Sequence, residues 1–142
     1  MIQRTSEAVW KGDFKQGQGN MSFGSGAYSG AYSASSRFED GEGTNPEELI
    51  AAAHAGCFSM ALSADLAKAG YKAETINTEA TIFMEKGESG FGITVSRLVT
   101  RARVPDIQMD EFAKIAMGAK KNCPVSKALK AVEIRLEAHL LK

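Results

Sequence analysis

Apolar and polar residues alternate most cleanly at the end of the chain. Val132, Ile134, Leu136, Ala138 and Leu140 fall on one face, and Glu133, Arg135, Glu137 and His139 on the other, which predicts a half-buried final strand. The same two-residue period runs through Glu74 to Glu85 and Ile93 to Val104, with glycine-containing sequence between them, and predicts a hairpin. Near the start, Gln3 to Trp10 and Lys15 to Phe23 predict two strands joined by a turn at Lys11-Gly12-Asp13. A helix period replaces this alternation after Asn45-Pro46-Glu47-Glu48. Asn45 suits a cap, Pro46 the first helical position, and Glu48 the acidic partner of a capping box. The alanine-rich run that follows reaches Lys68, with Gly70 as the stop, and at 1.5 Å per residue it spans about 35 Å. A second helix opens at Asp110 and runs to Lys121. Pro124 breaks it, leaving a short further helix over Val125 to Leu129. Strands, long helix, strands, helices and strand in that order predict an α+β fold, with antiparallel sheets around a long central helix.

The 142 residues, 44% of them hydrophobic, fit a single domain over residues 1–142 with its own core. The stretch Gly24 to Ser36, rich in Gly, Ser, Ala and Tyr, reads as a loop or loose edge strand within it. Seventeen basic and seventeen acidic residues cancel without any basic run, which argues against nucleic acid or an anionic membrane as a partner. No segment reads as long and apolar enough to span a bilayer, and no signal-peptide core opens the chain, so the expected location is the cytoplasm. In a reducing compartment two cysteines favour a catalytic or transient disulfide over a structural one. Their spacing with the two histidines matches no metal site, and no cofactor motif is present.

Cys57 lies mid-helix in His54-Ala55-Gly56-Cys57-Phe58-Ser59-Met60, among small and apolar neighbours. Burial there raises a thiol above its ordinary range, and a plain core cysteine is the bland reading. For chemistry the thiolate is needed, and Cys57 is too far from the helix start to gain from the dipole. Arg37, just upstream of the helix, is the candidate cation, against the alternative of an ordinary surface arginine. Cys123, before Pro124, is placed as the cap of the short helix, where a cysteine ionises more readily and is better reached; the alternative is a turn cysteine without redox work. The two cysteines are 66 positions apart and can meet only through the fold. His54, three residues before Cys57, reads as a structural or interface histidine more readily than as half of a Cys/His pair, because no orienting acid is nearby. Trp10 reads as a core anchor, and His139 as a solvent-face residue.

The segments Arg37-Phe38-Glu39, Gly43-Thr44-Asn45-Pro46-Glu47-Glu48-Leu49-Ile50, Ala52-Ala53-His54-Ala55-Gly56-Cys57-Phe58-Ser59-Met60-Ala61-Leu62 and Asn122-Cys123-Pro124-Val125-Ser126 occur together and in order. Jointly they resemble the osmotically inducible protein C (OsmC) family, as does the opening Ala8-Val9-Trp10-Lys11-Gly12-Asp13. The resemblance implies two-cysteine peroxidases for organic hydroperoxides, on an α+β fold built as an intertwined homodimer. It implies that Cys57 is the peroxidatic cysteine and Cys123 the resolving one. Arg37 and Glu47 match the family's activating arginine and its carboxylate partner, and the setting of Arg37 resembles the OsmC branch more than the organic hydroperoxide resistance branch. It further implies a dithiol reductant, with dihydrolipoyl groups on partner proteins as the family's precedent.

Glu47 and Cys57 are ten residues apart on the long helix, about 15 Å, too far to share one guanidinium within a chain. Two antiparallel copies crossing near Ala52 would bring Glu47 of one to Cys57 of the other, and the small residues Ala51, Ala52, Ala53, Ala55 and Gly56 would allow the approach. The competing readings are a non-enzymatic stress protein holding an apolar ligand in the dimer crevice, and a Cys/His acyl-transfer hydrolase.

Overall fold

A computed structural model describes all 142 residues. In chain order the elements are β1 (Ser6–Lys11), β2 (Gln18–Phe23), β3 (Ser29–Tyr32), α1 (Ala34–Phe38), α2 (Pro46–Lys68), β4 (Thr75–Gly87), β5 (Gly90–Arg103), α3 (Met109–Asn122), α4 (Pro124–Ala128) and β6 (Glu133–Leu141). The chain divides into two compact units, Met1–Leu49 and Ile50–Lys142.

The first unit is a three-stranded antiparallel sheet, β1-β2-β3, with α1 after it. The first two strands lie where the alternation predicts, starting three residues later in each case. The Gly24 to Ser36 stretch supplies the edge strand β3 and then α1, a helix the composition did not reveal. Two serines make it: the Ser33 hydroxyl accepts from the Ser36 N–H at 3.1 Å, and the Ser36 hydroxyl accepts from the Ser33 N–H at 2.8 Å. Trp10 does not anchor a core. It is 38% exposed, tilts against Tyr32 with ring centres 5.5 Å apart, and donates its indole N–H to the Gly12 carbonyl at 3.0 Å. No large apolar side chain of this unit is buried, so there is no core for it to join.

The second unit pairs β4 with β5 as the expected antiparallel hairpin. β6 lies parallel to β5, where an antiparallel pair was expected. The chain leaves β5 through α3 and α4 before returning, and a crossover of that length lets it come back in the same direction. Phe58, Leu62 and Leu66 of α2 meet Leu98 and Ala102 of β5 and Phe112, Ala116 and Ala119 of α3 in one core, with Ile134, Leu136, Ala138 and Leu140 of β6 packed at its edge. α2 ends as predicted: Gly70, at φ +92°, lets the Tyr71 N–H reach the Leu66 carbonyl at 2.9 Å while its own N–H reaches Ala67 at 3.1 Å. By length and composition α2 is able to span a bilayer, contrary to the sequence expectation. Its charges sit near its ends, and no Asp, Glu, Lys or Arg lies between Glu48 and Asp65. In this fold one face of it, His54, Phe58, Leu62 and Leu66, is spent on the core, while Ala52, Ala53, Gly56 and Met60 remain exposed.

Candidate functional site

The two cysteines are neighbours in the second unit, close enough that each sulfur shifts the other's ionisation. Local sequence explains both positions. Cys57 is held on α2 one residue before the core residue Phe58, which leaves it half-buried. Cys123 closes α3, donating its N–H to the Ala119 carbonyl at 2.9 Å, and caps α4, where its sulfur accepts the Ser126 N–H at 3.3 Å. Pro124 is what makes the two helices separate: it takes the first position of α4, which needs no N–H donor. Cys123 is therefore the cap residue that the sequence predicts. It is not the accessible one, being fully buried.

Their acidities diverge. Burial pushes the Cys57 thiol up, the Val125 N–H pulls it partly back, and the neighbouring Cys123 sulfur pushes it up again. No cation figures among these influences, so a single chain leaves Cys57 protonated. Burial also pushes Cys123 up, but the Ser126 hydroxyl and N–H, the Cys57 thiol and the Val125 N–H together outweigh it and hold that thiol below its ordinary range.

Arg37 and Glu47 meet in the first unit. The guanidinium grips the carboxylate with two bonds, Nη2 to Oε1 at 2.6 Å and Nε to Oε2 at 3.0 Å. The hydrogen bond to Glu47 raises the Arg37 pKa against the opposing effect of burial, so the group stays fully charged. Two links between α1 and the start of α2 set this pairing. The Ser36 hydroxyl donates to the Thr44 carbonyl at 2.7 Å, and Asn45 Nδ2 donates to the Ser36 carbonyl at 3.2 Å. Asn45 also caps α2, its Oδ1 accepting the Glu48 N–H at 2.8 Å. The expected reciprocal half of the capping box is replaced: the Glu48 carboxylate accepts from the Thr44 hydroxyl at 2.7 Å. Three N–H donors of Arg37 remain for another group, and the guanidinium lies over the Phe38 ring at 5.3 Å.

His54 is fully buried, and desolvation lowers its pKa, so the ring is neutral. Its Nδ1 meets the Ser96 hydroxyl of β5 at 2.6 Å, and its Nε2 meets the Ser126 hydroxyl of α4 at 2.8 Å. Both ring nitrogens are thus engaged by serines and neither by a carboxylate, which leaves no assembled Cys/His hydrolase pair. Sequence reasoning missed Ser96, Ser126, Ser36 and Thr44. Ser96 had a signal, a polar residue among inward positions of an apolar strand. The 54, 58, 62, 66 spacing likewise marks His54 as core-facing.

Two cavities of the second unit are lined by neither cysteine. One, about 690 Å³, is lined by Glu74, Arg103, Ile107, Met109, Leu140 and other residues of the second unit. Another, about 640 Å³, brings Lys120, Lys121, Lys127 and Lys130 around Ser126.

Comparison with known proteins places these features in company. The family model described as OsmC-like protein matches residues 39–137. Peroxiredoxin OsmC of Escherichia coli (strain K12) is 46% identical over 140 residues, covering 98% of this chain and 97% of that protein. The organic hydroperoxide resistance protein OhrB of Bacillus subtilis (strain 168) is 30% identical over 97 residues, 67% of this chain and 69% of that protein. The crystal structure of OhrB superposes with a TM-score of 0.72 at 25% identity, covering 96% of this chain and 98% of that one.

Proposed function

On the premise that this chain belongs to the OsmC family, we propose that it is a thiol-dependent peroxidase that reduces organic hydroperoxides to alcohols with Cys57 and Cys123. The observation that carries the assignment of these two residues is that their sulfurs are neighbours within one chain, each shifting the other's ionisation, so that a sulfur oxidised at Cys57 has a reductant nearby.

In the cycle the Cys57 thiolate attacks the outer peroxide oxygen. The O–O bond breaks, the alkoxide leaves and picks up a proton as the alcohol, and Cys57 becomes a sulfenic acid. The Cys123 thiolate then attacks that sulfur, forming the disulfide and releasing hydroxide, which leaves as water. A dithiol, of the kind carried by a lipoylated protein, reduces the disulfide by exchange and is itself oxidised. Such a supply calls for a reducing compartment, and we place the protein in the cytoplasm.

Arg37 is the cation Cys57 needs, oriented by Glu47. The pair reaches a partner protomer's Cys57 in a homodimer built on the exposed face of α2. Two observations support this. Cys57 has no cation among the groups that shift it, while Arg37 has charge and donors to spare. The α2 face with Ala52, Ala53, Gly56 and the 77% exposed Met60 is apolar and small enough to pack closely against a copy of itself.

The test is organic hydroperoxide consumption with a dithiol. Cys57→Ser should abolish turnover, and Cys123→Ser should allow one oxidation and then accumulate overoxidised Cys57. Mixing the inactive Cys57→Ser and Arg37→Gln proteins should restore activity through hybrid dimers carrying one intact site. Undiminished consumption by Cys57→Ser would overturn Cys57 as the reacting sulfur, and no consumption by the parent chain would leave the apolar-ligand carrier. No recovery on mixing, with exchange of subunits verified, would overturn the shared site.

A further inference from the structure

We propose that His54 is a positioning residue for the resolving step: held between Ser96 and Ser126, it turns the Ser126 hydroxyl onto the Cys123 sulfur and favours the Cys123 thiolate. This rests on the reading of Cys123 as the resolving cysteine.

The geometry is a chain of hydrogen bonds crossing three elements: Ser96 on β5, His54 on α2, then Ser126 and Cys123 at the start of α4. The links are 2.6 Å, 2.8 Å and 3.4 Å. His54 and Cys123 are fully buried, with Ser96 and Ser126 buried beside them, so water does not compete for these bonds. A neutral imidazole carries one N–H and one acceptor nitrogen, and each serine hydroxyl has one hydrogen to give. The chain therefore has two consistent arrangements. With a Cys123 thiol, S–H donates to the Ser126 oxygen, Ser126 O–H donates to His54 Nε2, and Nδ1–H donates to Ser96. With a thiolate, the Ser126 O–H turns to the sulfur, His54 donates from Nε2 to Ser126, and Ser96 O–H donates to Nδ1. The burial that keeps His54 from taking a second proton is what forces the ring's proton to follow the sulfur's charge state.

Resolution needs this thiolate. At that stage Cys57 is a neutral sulfenic acid. Cys123 supplies an electron pair to it, the S–O bond breaks, and the Cys123 proton ends on the departing hydroxide as water. The groups facing the Cys123 sulfur are Cys57 of α2, and Ser126 with the Val125 N–H of α4; no ammonium or carboxylate is among those that shift it. The groups bonded to His54 are the two serines alone. A hydroxyl oriented by a neutral ring is thus what stands in for a cation at the second sulfur.

The experiment uses the full chain carrying Cys57→Ser, so that Cys123 is the only thiol and peroxidase turnover plays no part. Its ionisation is followed by ultraviolet thiolate absorbance against pH, with circular dichroism as the check on folding. Ser126→Ala and His54→Phe should each raise the midpoint by about one pH unit, the size a hydrogen bond to a charged group supports. Ser126→Thr and His54→Gln, which retain a hydroxyl or an amide donor, should stay near the parent. If His54→Phe does not fold, nitrogen-15 spectra of the parent imidazole decide: the ring proton should move from Nδ1 to Nε2 as Cys123 ionises. An unmoved midpoint in folded His54→Phe, or one tautomer on both sides of the Cys123 transition, overturns the proposal. Neither outcome bears on whether the protein is a peroxidase, which the cysteine variants test separately.

Discussion

The two units of this chain are held in different ways. Every buried hydrophobic residue lies at position 58 or beyond, in the second unit. The first unit buries only small residues, Gly17, Ser36 and Thr44, and leaves Val9, Phe14 and Phe38 substantially exposed. What organises its end is polar: the reciprocal Ser33 and Ser36 bonds, the Asn45 latch and the bidentate Arg37–Glu47 pair. A three-stranded sheet ordinarily needs an apolar face packed against something to stand alone. The contrast therefore separates a region that supplies the fold's cohesion and the two sulfurs from one that supplies charge, held ready by hydrogen bonds.

The sharpest test of that contrast compares two large-to-small changes. Phe58→Ala removes a fully buried ring from the core between α2, β5 and α3, and should cost about 3–5 kcal/mol in denaturant unfolding. Val9→Ala, on a strand exposed along its whole length, should cost under about 1 kcal/mol. A loss at Val9 equal to that at Phe58 would break the comparison, because β1 would then be covered in solution.

A smaller effect should come from the latch. Asn45→Ala removes the cap on the Glu48 N–H and the bond to the Ser36 carbonyl together, and a lost cap costs about 1 kcal/mol. Activity should fall by more than stability accounts for, since the same latch joins the helix of Arg37 to that of Glu47. Stability lost with activity intact would mean that the ion pair forms without it.

Much of this was legible because the relevant signals are local. Periodicity located the strands of the second unit, and the Asn45-Pro46 and Gly70 signals bounded α2 where the fold has them. The Cys123-Pro124 pair announced a capped helix, and the sequence correctly anticipated that burial would raise Cys57. What stayed hidden depends on residues far apart in the chain. The parallel register of β6 is set by the crossover through α3 and α4, not by the strand's own alternation. Nothing local marks Ser126 as a partner of His54, which is 72 positions away. The position of Trp10 is not legible from its size, because a large aromatic says nothing about whether its neighbourhood can build a core. Cys123 was expected to be reachable because capping positions usually are, yet it lies in the core beside α3. The span-like character of α2 is a property of the whole helix, with no Asp, Glu, Lys or Arg between Glu48 and Asp65, and not of any one face.

The smallest expected effect lies in the second unit. Arg97 of β5 and Glu137 of β6 form an ion pair of 2.9 Å across the parallel strands, and His139 approaches the same carboxylate at 3.7 Å. In distance it resembles the Arg37–Glu47 pair. Its side chains, however, are 41% and 52% exposed, against 35% and 12% for Arg37 and Glu47, so solvent and salt screen it more strongly. It bonds through one guanidinium nitrogen where Arg37 uses two. β6 is meanwhile held by nine residues of ladder and by four apolar side chains at the core. Glu137→Gln should therefore leave the melting midpoint indistinguishable from the parent's at moderate salt, while Glu47→Gln should impair turnover and raise the pH at which Cys57 reacts. That last direction follows from the sign of the burial effect: loosening the guanidinium returns the Cys57 thiol toward the raised value it has in a single chain. A clear loss of stability from Glu137→Gln, with no change in the pH profile from Glu47→Gln, would reverse the assignment of polar work to the first unit and apolar work to the second.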